Sequence, residues 1–153
     1  MLHEKIKIIG IGNVLCGDDA LGVQVINRLM TLALPNNVAL VHGETDAWFC
    51  LEEALTASYV IVIDSIFGNQ GPEKVYKIDF SELGNRTDPF FGHDTSLIEL
   101  IAFFNAKGEN IQGVIIGIEC NTIEIGFGLN AIVEGKICLV VNKILESLES
   151  LPC

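Results

Sequence analysis

Short, apolar, β-branched runs separated by segments of helical periodicity constrain this chain more than any other feature. Ile6–Ile11 is such a run and stops at Gly12-Asn13. Val38–Val41 is a second. Tyr59–Ile63, the clearest core strand, ends at Asp64-Ser65, and Ile111–Ile118 is another. Between the first two, Leu21, Val25, Leu29 and Leu32 recur at helical spacing from about Ala20 to Leu32, with Pro35 just beyond. A helix is expected near Ala47–Ala57 with Phe49, Leu51 and Leu55 buried. Ser96-x-x-Glu99 has the form of a capping box, opening a helix through Ala106 that closes at Gly108. Asn130 caps a final long helix to about Leu148, burying Ile132, Ile137, Val140, Val141 and Ile144. Strands that alternate with helices predict an α/β fold with a largely parallel sheet between helical layers. Lys74–Asp79 alternates as an exposed or edge strand does.

Half of the residues are hydrophobic and 19% are charged, which suits strands covered on both faces. No repeat or linker interrupts the pattern, so residues 1–153 are expected to form one domain. The formal net charge of −11 excludes the basic stripe of a nucleic-acid binder and disfavours an acidic membrane surface. The charged start, Met1 to Lys7, is no secretory signal. The longest apolar runs fall far short of the roughly 18–20 residues that span a bilayer. Five scattered cysteines, with no Cys-x-x-Cys pair, are the pattern of a reducing compartment. A cytoplasmic location is expected.

In sheets of this kind, function gathers outside the carboxyl ends of the strands. The loops there carry Asp18-Asp19, Glu44-Thr45-Asp46, Asp64-Ser65 and Glu119. Gly10-x-Gly12 after the first strand invites a dinucleotide-binding interpretation, with Glu44 as the ribose partner. However, the third glycine should fall at position 15, which is Leu15, and two carboxylates at the helix start would repel a pyrophosphate. Asp18 and Asp19 could equally cap that helix. Asp64, ending an apolar strand, needs a cation or a donor. His93 lies in the loop Pro89-Phe-Phe-Gly-His-Asp, whereas His3 is terminal and His42 structural. Two carboxylates and an imidazole from three loops can form an open site for a borderline divalent ion such as nickel or zinc. The carboxylates can also act as an aspartic-protease-like pair that shares a proton. Spacing alone does not choose between these chemistries.

The stretch Gly10-Ile-Gly-Asn-Val-Leu-Cys-Gly-Asp-Asp-Ala-Leu-Gly-Val closely resembles the opening motif of the hydrogenase maturation endopeptidases. Ile61-Val-Ile-Asp64-Ser-Ile is similar to that family's strand ending in Asp-Ala, and His93 precedes a helix as in the family. Gly117-Ile-Glu119 and Gly128-Leu129 resemble its late loop and last-helix start. The resemblance implies a three-layer α/β/α sandwich with a mostly parallel five-stranded sheet, one strand antiparallel. It also implies removal of a carboxy-terminal extension from a nickel-iron hydrogenase large-subunit precursor after nickel insertion. The family's acidic–acidic–His set maps onto Asp19, Asp64 and His93, as catalytic residues and as ligands for nickel carried by the substrate. The contrasting functions are a nickel-dependent chaperone that does not cut and a nucleotide-dependent α/β enzyme. Two positions depart from the family pattern. His42-Gly43-Glu44-Thr45 stands where Asp-Gly-Gly-Thr is common, so Glu44 replaces a glycine. Cys120, expected to be structural, stands where many relatives have proline.

Overall fold

The computed structural model describes residues 5–66, 74–84, 96–120, 125–126 and 128–152. Five strands form one sheet in the order β2-β1-β3-β5-β4: β1 (Ile6–Ile11), β2 (Val38–Glu44), β3 (Tyr59–Ile66), β4 (Val75–Asp79) and β5 (Gly113–Glu119). β1, β2, β3 and β5 are parallel, and β4 runs antiparallel to β5 along one edge. The helices are α1 (Leu21–Leu29), α2 (Ala47–Leu55), α3 (Leu97–Ala106), α4 (Ala131–Gly135) and α5 (Ile137–Glu149).

Side chains alternate across each strand, so β3 serves two cores. Ile61 and Ile63 pack with Ile8, Val114 and Ile116 beneath α1 and α5. Val60 and Val62 pack with Ile9 and Ile115 beneath α2 and α3. This is the mostly parallel, helix-covered sheet expected from the sequence. Lys7, on the α2 side of β1, is buried and donates to Glu53 of α2 and to Thr56 just past its end, each at 2.6 Å.

The first helix is shorter than its periodicity predicts. Gly17–Ala20 form a 3-10 turn, and α1 ends at Leu29, where the Thr31 hydroxyl donates to the Arg28 carbonyl. In α2, Phe49 and Leu55 are exposed, contrary to expectation, and Cys50, Leu51 and Ala54 face the core. The cause is proximity: a Cβ on Gly43 would lie 2.4 Å from Cys50 Sγ, so α2 lies against β2 through small residues. The Ser96 capping box forms as expected. The last helix is divided at Lys136, directly after Gly135, which weakens a helix interior; Ile132 is exposed and Val133 buried. Gly68 and Gly71-Pro72, whose residue types predict a turn, lie outside the described residues.

Helix α1 crosses β1 at backbone contact. A Cβ on Gly10 would sit 2.3 Å from the Gly22 carbonyl oxygen, and one on Gly22 would sit 2.1 Å from that of Ile11. Gly10→Ala is therefore expected to lower the unfolding free energy by about 2–4 kcal/mol, because two backbones would have to separate. Urea denaturation of the purified variant measures this.

Candidate functional site

The same crossing delivers the first acidic residue. Gly12 has φ 147°, and a Cβ there would lie 1.7 Å from the Asp19 carbonyl oxygen. Only glycine lets the 3-10 turn close this tightly over the carboxyl end of β1. Both Asp19 carboxylate oxygens have a donor: the Asn13 backbone N–H reaches Oδ2 at 3.0 Å, and the Ser65 hydroxyl reaches Oδ1 at 2.9 Å. The glycine spacing that suggests a dinucleotide loop thus serves close packing and the placement of a carboxylate.

Asp18 takes a different part from Asp19. It is buried, and its Oδ1 accepts from the Asn130 backbone N–H at 2.7 Å and its Oδ2 from the Asn130 side-chain amide at 2.5 Å. Asn130 in turn caps α4 through Ile132 and Val133. Neither aspartate caps α1, whose amino end lacks any side-chain cap. Asp18 ties the two ends of the fold together, across 112 residues of chain.

Asp64 lies at the end of β3, next to Ser65. Its carboxyl is pushed up to about 7, first by burial and then by the negative charge of Asp19, against a smaller lowering by a backbone hydrogen bond at Ser65. The two carboxylates therefore share one electrostatic site, and near neutral pH the second negative charge is only partly present. Cys120 is buried beside them. Burial, followed by the charges of Asp18, Asp19 and Asp64, raises its thiol to about 11, so the thiol stays protonated. This is the chemistry of a structural cysteine. His93 lies outside the described residues. Among the described residues, no group of three or more His, Cys, Asp or Glu side chains is arranged to hold a metal.

The other acidic positions separate by role. Glu119 is 1% exposed and accepts from the Tyr76 hydroxyl at 2.7 Å, so it joins β4 to β5 and does not line an open rim. Asp46 caps α2 by accepting from the Phe49 N–H at 2.9 Å. The donors to Asp19, Ser65 and Asn13, carry little signal in the sequence. Ser65 is visible only as a polar residue in the buried register of β3, and Asn13 contributes through its backbone.

A model of the hydrogenase maturation proteases matches residues 23–147. The chain belongs to the hydrogenase maturation proteases. A Methanocaldococcus jannaschii protein assigned to these proteases is 33% identical over 122 residues, 76% of this chain and 77% of its own. The fold is similar to that of the Escherichia coli hydrogenase maturating endopeptidase HybD, with TM-score 0.75 and 22% identity over 95% of this chain and 92% of that one. It is also similar to the [NiFe] hydrogenase maturation protease HycI of Thermococcus kodakarensis, with TM-score 0.76 and 21% identity over 96% and 94% of the two chains. Among the described residues of this protease, no helix is long and apolar enough to cross a membrane.

Beside Asp19 the protease has a cleft of about 150 Å³ lined by Gly12, Asn13, Val14, Glu44 and Thr45. Among the described residues Glu44 is the one non-glycine residue with a left-handed backbone, at φ 48°. Such a conformation costs on the order of 1 kcal/mol for a side chain of this kind. The Gly12 N–H donates to the Glu44 carbonyl at 2.8 Å, which fixes the bend to the end of β1.

The raised value at Asp64 fixes the sign of a pH effect. The folded state holds this proton more tightly than the unfolded chain does. The Asp64 contribution to stability is therefore intact below about pH 4 and is lost as pH rises to about 7. Asp64→Asn removes that loss. Relative to wild type, the variant is expected to gain on the order of 4 kcal/mol between these limits, less whatever the site recovers by relaxing. Paired denaturation curves at acidic pH and at pH 8 or so check the direction.

Proposed function

We propose that this protease removes the carboxy-terminal extension of a nickel-iron hydrogenase large-subunit precursor once nickel is in place. In this proposal Asp19, Asp64 and His93 engage the nickel of the substrate. The observation that carries it is the unequal treatment of two neighbouring carboxylates. Asp19 has a hydrogen-bond donor on each carboxylate oxygen, while Asp64 is driven toward its neutral form by burial and by the charge of Asp19. An arriving cation relieves both effects, favouring ionised Asp64 and offsetting the repulsion between the pair.

A carboxylate pair of this kind binds best to a ligand that brings positive charge and its own remaining bonds. Nickel already held by the precursor has both properties. Two carboxylates and one imidazole lack the thiolates of tight structural sites, so the affinity belongs to the complex of enzyme and precursor. Engagement of the metal anchors the extension beside Asp19 and Asp64, and this proximity supplies much of the catalytic effect. Asp64, raised in proton affinity by burial and by Asp19 and left ionised by the arriving cation, is the group of the pair suited to accept a proton from an attacking water.

The experiment is to mix chelator-dialysed enzyme with nickel-loaded and nickel-free precursor and to weigh the products. Cleavage of the loaded form alone is expected. Asp64→Asn and His93→Ala are expected to remain folded and to lose at least about a hundredfold in processing rate. Normal cleavage by either folded variant rules out its proposed role. A loaded precursor that is bound but never cut identifies a chaperone.

A further inference from the structure

We propose that the cleft beside Asp19 is a subsite for a cationic side chain of the precursor, lysine or arginine, with Glu44 as its specificity-determining residue. The inference rests on the proposed function and adds a preference to it. Gly12 and Asn13 form one wall of the cleft, and the Asn13 N–H is the group that holds Asp19 Oδ2. A side chain seated here therefore belongs to the part of the substrate adjoining the carboxylates.

The lining selects the chemistry of that side chain. Glu44 is its single charged group; it is exposed and makes no ion pair among the described residues. Val14, 42% exposed, offers an apolar surface in the same cleft. Asn13 and Thr45 supply polar groups. A methylene stem lying on Val14 with its charged head at Glu44 satisfies both, and a volume of about 150 Å³ suits one long side chain. Anionic groups are disfavoured by Glu44 itself and by the net charge of −11. The backbone gives a further reason to single out Glu44. Every other positive-φ residue described is a glycine, which would hold this bend without strain. A glutamate kept in a sparsely populated conformation at the mouth of a cleft is where local strain serves recognition.

The test uses the full-length protease and nickel-loaded precursor, with each lysine and arginine flanking the cleavage junction replaced singly by glutamine. One of these replacements is expected to raise KM about tenfold with kcat within about twofold. Glu44→Gln should give the same rise with the natural precursor and no further rise with the replaced one. Glu44→Lys should regain affinity for a precursor carrying glutamate at that position. Glu44→Gly should raise Tm by about 2–4 °C while KM still rises, a combination that a merely structural residue would not produce. Unchanged KM in Glu44→Gln, additive effects of the two partners, or no sensitive lysine or arginine would overturn the subsite and leave the endopeptidase function standing. If the wild type binds the precursor without cutting it, calorimetric titration decides the subsite separately. An affinity about tenfold weaker in Glu44→Gln supports it, and equal affinity overturns it.

Discussion

The contact of α1 with β1 sets the rest of the site, since it is made by backbone and not by side chains. With hydrogens at positions 10 and 22, the helix descends until the Gly22 carbonyl lies against Gly10 and the Ile11 carbonyl against Gly22. The turn that enters the helix must then close over the strand end, and Gly12 permits it at a position where any Cβ would collide with Asp19. Asp19 is positioned by packing that ordinary side chains would prevent. Its carboxylate then collects donors from two directions, Asn13 in its own turn and Ser65 across the sheet. The opening motif reads as a phosphate loop because both devices need glycines after a strand. They differ in what the turn presents: amides toward an anion in one, a carboxylate in the other.

The alternation of β3 explains how one strand end serves the site twice. Ile61, Ile63 and Ser65 share the face covered by α1 and α5, and Val60, Val62 and Asp64 share the other. Ser65 can therefore donate to Asp19, while Asp64 raises the thiol of Cys50 on α2 by its charge, behind burial, Asp46 and Glu53. Asp19 and Asp64 approach one another over the end of the sheet from different layers. A shift of one residue in this register would exchange their surroundings, leaving Asp19 without its hydroxyl and Asp64 on the wrong face.

Much of this was legible in the sequence, and the limits have physical causes. Strand cores such as Tyr59–Ile63 declare themselves because burial on both faces demands uninterrupted apolar residues. The Ser96-x-x-Glu99 cap is local chemistry and forms as written. Asp19 and Asp64 could be picked as candidates because strand ends collect functional groups. The long-range partners were not legible. Nothing near Asp18 foretells that its oxygens belong to Asn130, and nothing near Glu119 foretells Tyr76. The inward face of α2 was misjudged because hydrophobicity favours Phe49 and Leu55, whereas the tight fit over Gly43 favours Cys50 and Ala54.

Asp18 and Asp19 show why adjacent identical residues need not share a function. Each has two carboxylate oxygens with a donor apiece, yet the donors differ in kind. Asp18 is matched by the backbone and amide of one asparagine that also starts α4, a closed and buried arrangement. Asp19 takes one donor from a turn beside an open cleft and one from a hydroxyl, which can itself rotate. Its charge is the one that, after burial, raises the proton affinity of Asp64. One aspartate thus locks the end of the last helical layer against the first turn, and that lock holds the turn from which its neighbour reaches Ser65 across the sheet.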